Sequence, residues 1–234
     1  MFGFKNYLYI LVAITSLFIF GWYYFSMNKP QSITIIPSNT SIRFMPIGDS
    51  YTIGNGVQIS ERWPNLLTES LKKEGIEMVL ISNPAVSGYD AQDAIKIELP
   101  LFERERPDFG TLFIGTNDSF RGRDLEVFKK DYIELVDRMQ NSLTNKDNLI
   151  IITIPNYATF PGAKGYAVDT EEIEGYNRII REIAGMRNLK VVDLYGINEL
   201  IGSDYFISDG IHPSPKGINV WHNAILPVVL DVLQ

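Results

Sequence analysis

The sequence predicts an α/β chain: a three-layer α/β/α sandwich on a five-stranded parallel sheet, preceded by one N-terminal transmembrane helix. Three observations carry this reading. Short, nearly continuous apolar runs alternate with stretches whose apolar residues recur every three or four positions, the pattern of strands buried on both faces and of the helices that cover them. Alternation with right-handed crossovers gives a doubly wound sheet, best fitted by the flavodoxin-like order 2-1-3-4-5. Residues 7–25 contain no charged side chain.

Taken in order, residues 1–27 read as a membrane anchor. Nineteen residues (7–25) at 1.5 Å rise extend about 28 Å, close to the hydrocarbon thickness of a bilayer. A cleaved signal peptide is the alternative, but its apolar region is about 7 to 15 residues and ends in small residues. Here the run ends in Trp22-Tyr23-Tyr24-Phe25, which suits an interfacial aromatic belt. Lys5 and the terminal amine precede the span and Lys29 follows it, so the positive-inside comparison places the N-terminus in the cytoplasm and the remainder outside. Localisation is thus expected to be single-pass membrane with an extracytoplasmic domain, or secreted if the segment is cleaved.

Residues 28–41, polar and carrying Pro30 and Pro37, read as a linker. The domain is expected over 42–234. Strands are predicted at 42–47, 77–82, 111–114, 149–154 and 190–194, and helices at 63–74, 91–105, 125–142, 170–187 and 216–230. No internal repeat is present, and the roughly 195 residues after the anchor suit one domain with a substantial core.

Composition narrows the chemistry. A net charge of −7 argues against nonspecific nucleic-acid binding, which relies on basic surface to displace counterions. The absence of cysteine excludes disulfides, thiolate metal sites and a lipid-modified cysteine. There are only two histidines, His212 and His222. His212 follows Asp209 in a Gly- and Pro-rich turn, where a carboxylate can orient the ring; His222 falls within a predicted helix, as a packed or solvated side chain. His212 is therefore the candidate base.

Three segments end predicted strands with catalytic residue types: Gly48-Asp49-Ser50, Gly115-Thr116-Asn117-Asp118, and Asp209-Gly210-Ile211-His212-Pro213. A serine hydroxyl is a weak nucleophile until a base takes its proton, and the oxyanion that follows needs preorganised donors. In the predicted order, strand 1 lies between strands 2 and 3. Ser50, the 83–90 loop with Gly88, and Asn117 then meet at the carboxyl edge of the sheet, where ligands bind in such folds. Strand 5 should lie roughly 14 Å from strand 1, so the long 195–212 connection is needed to bring His212 back.

Read singly, Asp49 and Asp118 are hydrogen-bond anchors for their loops. Arg121 and Arg123 either meet an anionic substrate group or belong to a solvated loop. The 156–169 loop, with Tyr157, Phe160, Pro161 and Tyr166, either walls the pocket or packs on the surface. Asp49, Asp209 and His212 as divalent-metal ligands are a minor alternative, and no metal or cofactor is expected.

With these motifs in view, the chain resembles the SGNH hydrolases, or GDSL esterases and lipases. Gly48-Asp49-Ser50-Tyr51-Thr52 looks like the first family block, Gly88 within 83–88 like the second, Gly115-Thr116-Asn117-Asp118 like the third, and Asp209-Gly210-Ile211-His212 like the last. Tyr51 departs from the leucine of the eponymous motif. The resemblance implies a catalytic Ser50, Asp209 and His212, with the oxyanion held by the N–H groups of Ser50 and Gly88 and the amide of Asn117. It implies hydrolysis of an acyl ester, such as a small ester, lysophospholipid, thioester or O-acetylated glycan, through an acyl-enzyme. An acyltransferase using the same intermediate, and an inactive membrane-anchored binding module, are the rivals. Oligomeric state is left open.

Overall fold

The computed structural model describes residues 41–166, 168–197 and 202–234. The predicted anchor and nearly all of the predicted linker lie outside these residues. Five parallel strands form one sheet in the order β2-β1-β3-β4-β5: β1 (Ile42–Gly48), β2 (Met78–Leu80), β3 (Phe109–Phe113), β4 (Leu149–Ile152) and β5 (Lys190–Val192). The predicted order is the observed one. β1 is central to the site because its register runs alongside β3 to the end, Gly48 opposite Phe113. β2 is half the predicted length and pairs only with residues 42–44 of β1.

Following β1, Ser50–Ile53 forms a short helix, α1, and Trp63–Lys73 forms α2. The 91–105 helix, α3, is not uniform: α-helical Ala91–Asp93 and Leu99–Glu105 flank a π-helical turn, Ala94–Glu98. A one-residue excess in an apolar 3.6-residue pattern does not announce itself in periodicity, so the sequence predicts a uniform α-helix here. Thr116–Phe120 forms α4, Leu125–Ser142 α5, Thr170–Met186 α6 and Pro215–Leu233 α7. Caps set the long helices. Asp124 accepts the N–H groups of Glu126 and Val127 at 2.9 and 3.1 Å, Asp169 accepts that of Glu171 at 2.8 Å, and Ser214 precedes Pro215 at the first helical position. Each such cap is worth about 1 kcal/mol. α7 carries Pro227 in its interior and continues past it to Leu233.

α2 packs on α7, while α3, α5 and α6 pack side by side, giving the two helical layers. Between them Phe44, Met45, Ile47, Leu112, Phe113 and the three isoleucines of β4 are fully buried, as strands covered on both faces require. Trp221 of α7 stands under the site, its ring 5.0 Å from Tyr51 and 5.7 Å from Phe113 in edge-on contacts. Packing from α7 therefore supports the turn that carries Ser50.

His222 is packed rather than solvated. It is buried on α7, its Nε2 is 3.0 Å from Ser70 Oγ, and burial holds its pKa below the usual imidazole value.

Three carboxyls are buried around the end of β1, and they give stability a pH dependence. Burial pushes Glu98 up to about 9, Asp49 to about 7 and Asp118 to about 6. A group whose folded pKa is raised retains its proton in the native state at pH values where the unfolded chain has lost it. Its stabilisation is complete below the unfolded pKa and declines as pH rises through the folded one. Tm should therefore fall between pH about 5 and about 9, and Glu98→Gln should flatten that decline in thermal scans. A variant with the wild-type slope would show that Glu98 titrates normally.

Candidate active site

The site is built from the carboxyl ends of β1 and β3 and from two later loops. At the end of β1 the chain must pass a tight place: a Cβ on Gly48 would lie 2.1 Å from Thr52 Oγ1 and 2.6 Å from Phe113 O, so glycine alone fits. Asp49 then caps α1. Fully buried, it accepts the Tyr51 N–H at 3.0 Å, an anchoring role. Ser50, as the first residue of α1, has an N–H with no intrahelical partner.

Ser50 lines a cavity of about 180 Å³ together with Asn117, His212, Tyr51, Phe120 and Tyr157. Thr116, Ala163, Tyr166, Val168 and Ile211 complete the wall, so the 156–169 loop does face the pocket. Phe160 does not; it is buried against Phe206 at 4.6 Å between ring centroids. Phe120 and Tyr166 meet edge-on at 5.6 Å and are both more than half exposed, forming an aromatic rim.

His212 is presented by a tight turn. Phe206 and Pro213 form an antiparallel bridge, Ile207 N–H donates to His212 O at 2.9 Å and Gly210 N–H to Ile207 O at 2.9 Å. Asp209 serves both turn and ring. Its Oδ1 accepts the N–H groups of Ile211 and His212 at 2.8 and 3.0 Å, while Oδ2 is 2.6 Å from His212 Nδ1. Burial raises the Asp209 pKa, but the His212 ring and the two N–H donors outweigh it and hold the carboxyl below its ordinary value. An ionised Asp209 fixes the proton on Nδ1 and leaves Nε2 as the ring's acceptor. Among the described residues no hydrogen bond joins Ser50 Oγ to the ring.

The turn is held by a backbone contact. Gly162 N–H donates to Gly210 O at 2.9 Å, Gly210 has φ of +70°, and a Cβ on Gly162 would come within 2.2 Å of Asp209 O. Backbone cannot yield as a flexible side chain can. Gly162→Ala is expected to displace the Asp209–His212 turn, costing about 1–3 kcal/mol and lowering kcat about tenfold or more. Thermal unfolding and ester turnover measured together check it; an unaffected kcat would show that the loop tolerates the methyl.

Asn117 projects from α4, its Nδ2 donating to Tyr89 O at 2.8 Å and, at a longer 3.4 Å, to Asp49 Oδ2. Gly88 is not among the residues lining the cavity; its carbonyl accepts from Arg121 Nη2 at 2.8 Å. The arginines are engaged internally. Arg121 and Arg123 both pair with Asp90, at 2.8 and 2.9 Å, and Arg123 also meets Asp118 and Asp131, each at 3.2 Å. Asp118 accepts the Ala91 N–H at 2.9 Å, so the network ties the loop after β2 to α4. Phe120 lines the pocket outside the motifs and loops read from the sequence, whereas Tyr51, Thr116 and Ile211 lie inside those motifs and Val168 inside the 156–169 loop. Glu98 is another residue that sequence reasoning missed: fully buried, it accepts the Gly48 N–H at 3.0 Å.

Residues 47–219 match the GDSL-like lipase/acylhydrolase family model. The chain belongs to that family. It is accordingly a serine ester hydrolase of the GDSL type. Among relatives, an arylesterase of Vibrio mimicus is 23% identical over 179 residues, covering 76% of this chain and 84% of that protein. Esterase TesA of Pseudomonas aeruginosa is 24% identical over 182 residues, covering 75% and 84%. In fold, the psychrotrophic esterase EstA from Pseudoalteromonas sp. superimposes with a TM-score of 0.68 at 20% identity, over 82% of this chain and 99% of that one. This GDSL-family chain thus spans most of the length of each.

Proposed function

We propose that this enzyme hydrolyses a carboxylic ester with a compact acyl group through an acyl-enzyme at Ser50. The observation that carries the reading is the pocket itself: Ser50, Asn117 and His212 line one cavity, and Asp209 Oδ2 lies 2.6 Å from His212 Nδ1. His212 Nε2 takes the proton as Ser50 Oγ bonds to the ester carbonyl carbon. The resulting oxyanion is met by the Ser50 N–H and by Asn117, whose long contact to Asp49 is the more easily exchanged of its two; Gly88, outside the cavity lining, is given no donor role. Collapse breaks the bond to the alcohol, which leaves with the proton from His212. Water then attacks the acyl carbon, losing a proton to His212, and the carboxylic acid and free Ser50 are released.

Size and lining argue for the acyl class. A cavity of about 180 Å³ lies below the roughly 300–1,000 Å³ of sites for drug-sized ligands, and its aromatic and aliphatic walls suit a short acyl or aryl group. Activity on p-nitrophenyl esters of graded length should be greatest for short chains and fall steeply for long ones. A preference for long chains would overturn the compact-acyl reading.

An adjacent recess of about 250 Å³ shares Phe120, Tyr157 and Val168 with the first and adds Arg121, Asp169 and Glu172. This polar neighbour favours a second reading, transfer of the acyl group to an alcohol acceptor such as a glycan hydroxyl. Product masses with and without added glycan distinguish the two. For the whole protein, the uncharged run 7–25 supports a single-pass anchor with the catalytic domain outside the cytoplasmic membrane; complete protection from protease on intact cells would refute that placement.

A further inference from the structure

The edge of β1 that faces β2 has a gap next to the nucleophile. Ile42 N–H donates to Glu77 O at 2.8 Å, and Phe44 O accepts from Ile81 N–H at 2.9 Å, so even-numbered residues of β1 face β2. Alternation puts residues 46 and 48 on the same edge, but β2 pairs no further than Phe44. Pro46 has no N–H to satisfy. Gly48 does have one, and in the absence of a strand it donates to Glu98 Oε2 at 3.0 Å.

We propose that Glu98 is a positioning residue for the nucleophile, its side chain replacing the missing strand partner of Gly48 and so fixing the turn that delivers Ser50. The inference rests on Ser50 being the nucleophile.

Glu98 is an unexpected residue for its place. It is fully buried on the last position of the π turn Ala94–Glu98, and its Oε1 has no hydrogen-bond partner among the described residues. A buried polar atom without a partner is destabilising, and an apolar side chain of the same size would avoid it. The compensating contact is the one to Gly48. π turns re-aim side chains within a helix and recur at functional sites; here the turn ends at the residue that reaches β1. Burial pushes the carboxyl up to about 9, with the nearby Asp49 and Asp93 adding to the effect and the Gly48 N–H opposing it. Glu98 is therefore an uncharged acid near neutrality, and glutamine matches it in both shape and charge.

Gly48 cannot absorb a disturbance. A Cβ there would lie 2.1 Å from Thr52 Oγ1 and 2.6 Å from Phe113 O, and Asp49 and Ser50 follow it directly into α1. Tilting the peptide at Gly48 moves the cap and the serine together, and a displacement of about 1 Å at a reacting group can cost about 10²-fold in rate.

The test measures kcat and KM on a short p-nitrophenyl ester for the wild type, Glu98→Leu, Glu98→Asp and Glu98→Gln. Rates are normalised to the serine titrated by a fluorophosphonate. Glu98→Leu is expected to lower kcat per titrated serine about ten- to a hundredfold with KM within about threefold, and Glu98→Gln to restore it to within about threefold of wild type. Glu98→Asp, one methylene too short to reach the Gly48 N–H, should behave as the leucine variant does, and it carries the test if the leucine variant does not fold. A merely structural residue would lower Tm and the titratable fraction while leaving kcat per serine intact, and that result overturns the inference. Glutamine as impaired as leucine also overturns it. Ser50→Ala run in parallel separates the two levels: full turnover there would remove Ser50 from the chemistry altogether, whereas wild-type kcat in Glu98→Leu refutes only the positioning role.

Discussion

Ser50→Ala is expected to lower kcat for ester hydrolysis by a factor on the order of 10⁴ to 10⁶, because the other members of such a unit do little without the nucleophile. The fold should be indifferent to the change. Ser50 lies at the cavity wall, and among the described residues its Oγ takes part in no hydrogen bond, so loss of the hydroxyl strands no partner. The informative comparison is kcat on p-nitrophenyl acetate beside Tm. Turnover within tenfold of wild type would place the chemistry elsewhere. His212→Ala added to Ser50→Ala should cost almost nothing further, since residues that act as a unit are strongly non-additive.

Asp209→Asn is expected to lower kcat about 10⁴-fold with little change in Tm. The two carboxylate oxygens have separate tasks, and asparagine keeps only one. Its carbonyl can still accept the N–H groups of Ile211 and His212, which Oδ1 now holds at 2.8 and 3.0 Å, so the turn survives. Its amide cannot accept from Nδ1, 2.6 Å away in the wild type; the ring then places its proton on Nε2 and loses the acceptor that Ser50 needs. Because the Asp209 carboxyl is held below its ordinary value, it stays ionised as pH falls into the usual carboxylate range. A loss smaller than about tenfold in Asp209→Asn would show that the ring is oriented by other means.

Strand order was legible in the sequence because right-handed crossovers leave few arrangements for strictly alternating elements. The neighbourhood of Ser50 and Asn117 follows from that order and not from their separation in sequence. The placement of His212 followed from composition, there being two histidines, and from the length of the 195–212 connection. Other features depend on side-chain volume in three dimensions. Arg121 and Arg123 read as a solvated loop or as partners of an anionic substrate group, and only the fold shows Asp90 between them. The sequence predicts a six-residue strand 2 at 77–82 around the apolar residues 78–81, whereas pairing stops at Leu80, where the chain turns into the site. Glu98 in a helical repeat resembles any exposed glutamate, since periodicity does not register the π turn that rotates it inward.

Both rims of the sheet are formed by strands of three residues, β2 and β5. A rim so brief offers another chain few unpaired N–H and carbonyl groups, which limits edge-to-edge association. At high local concentration this geometry favours crowding without fibrous self-assembly.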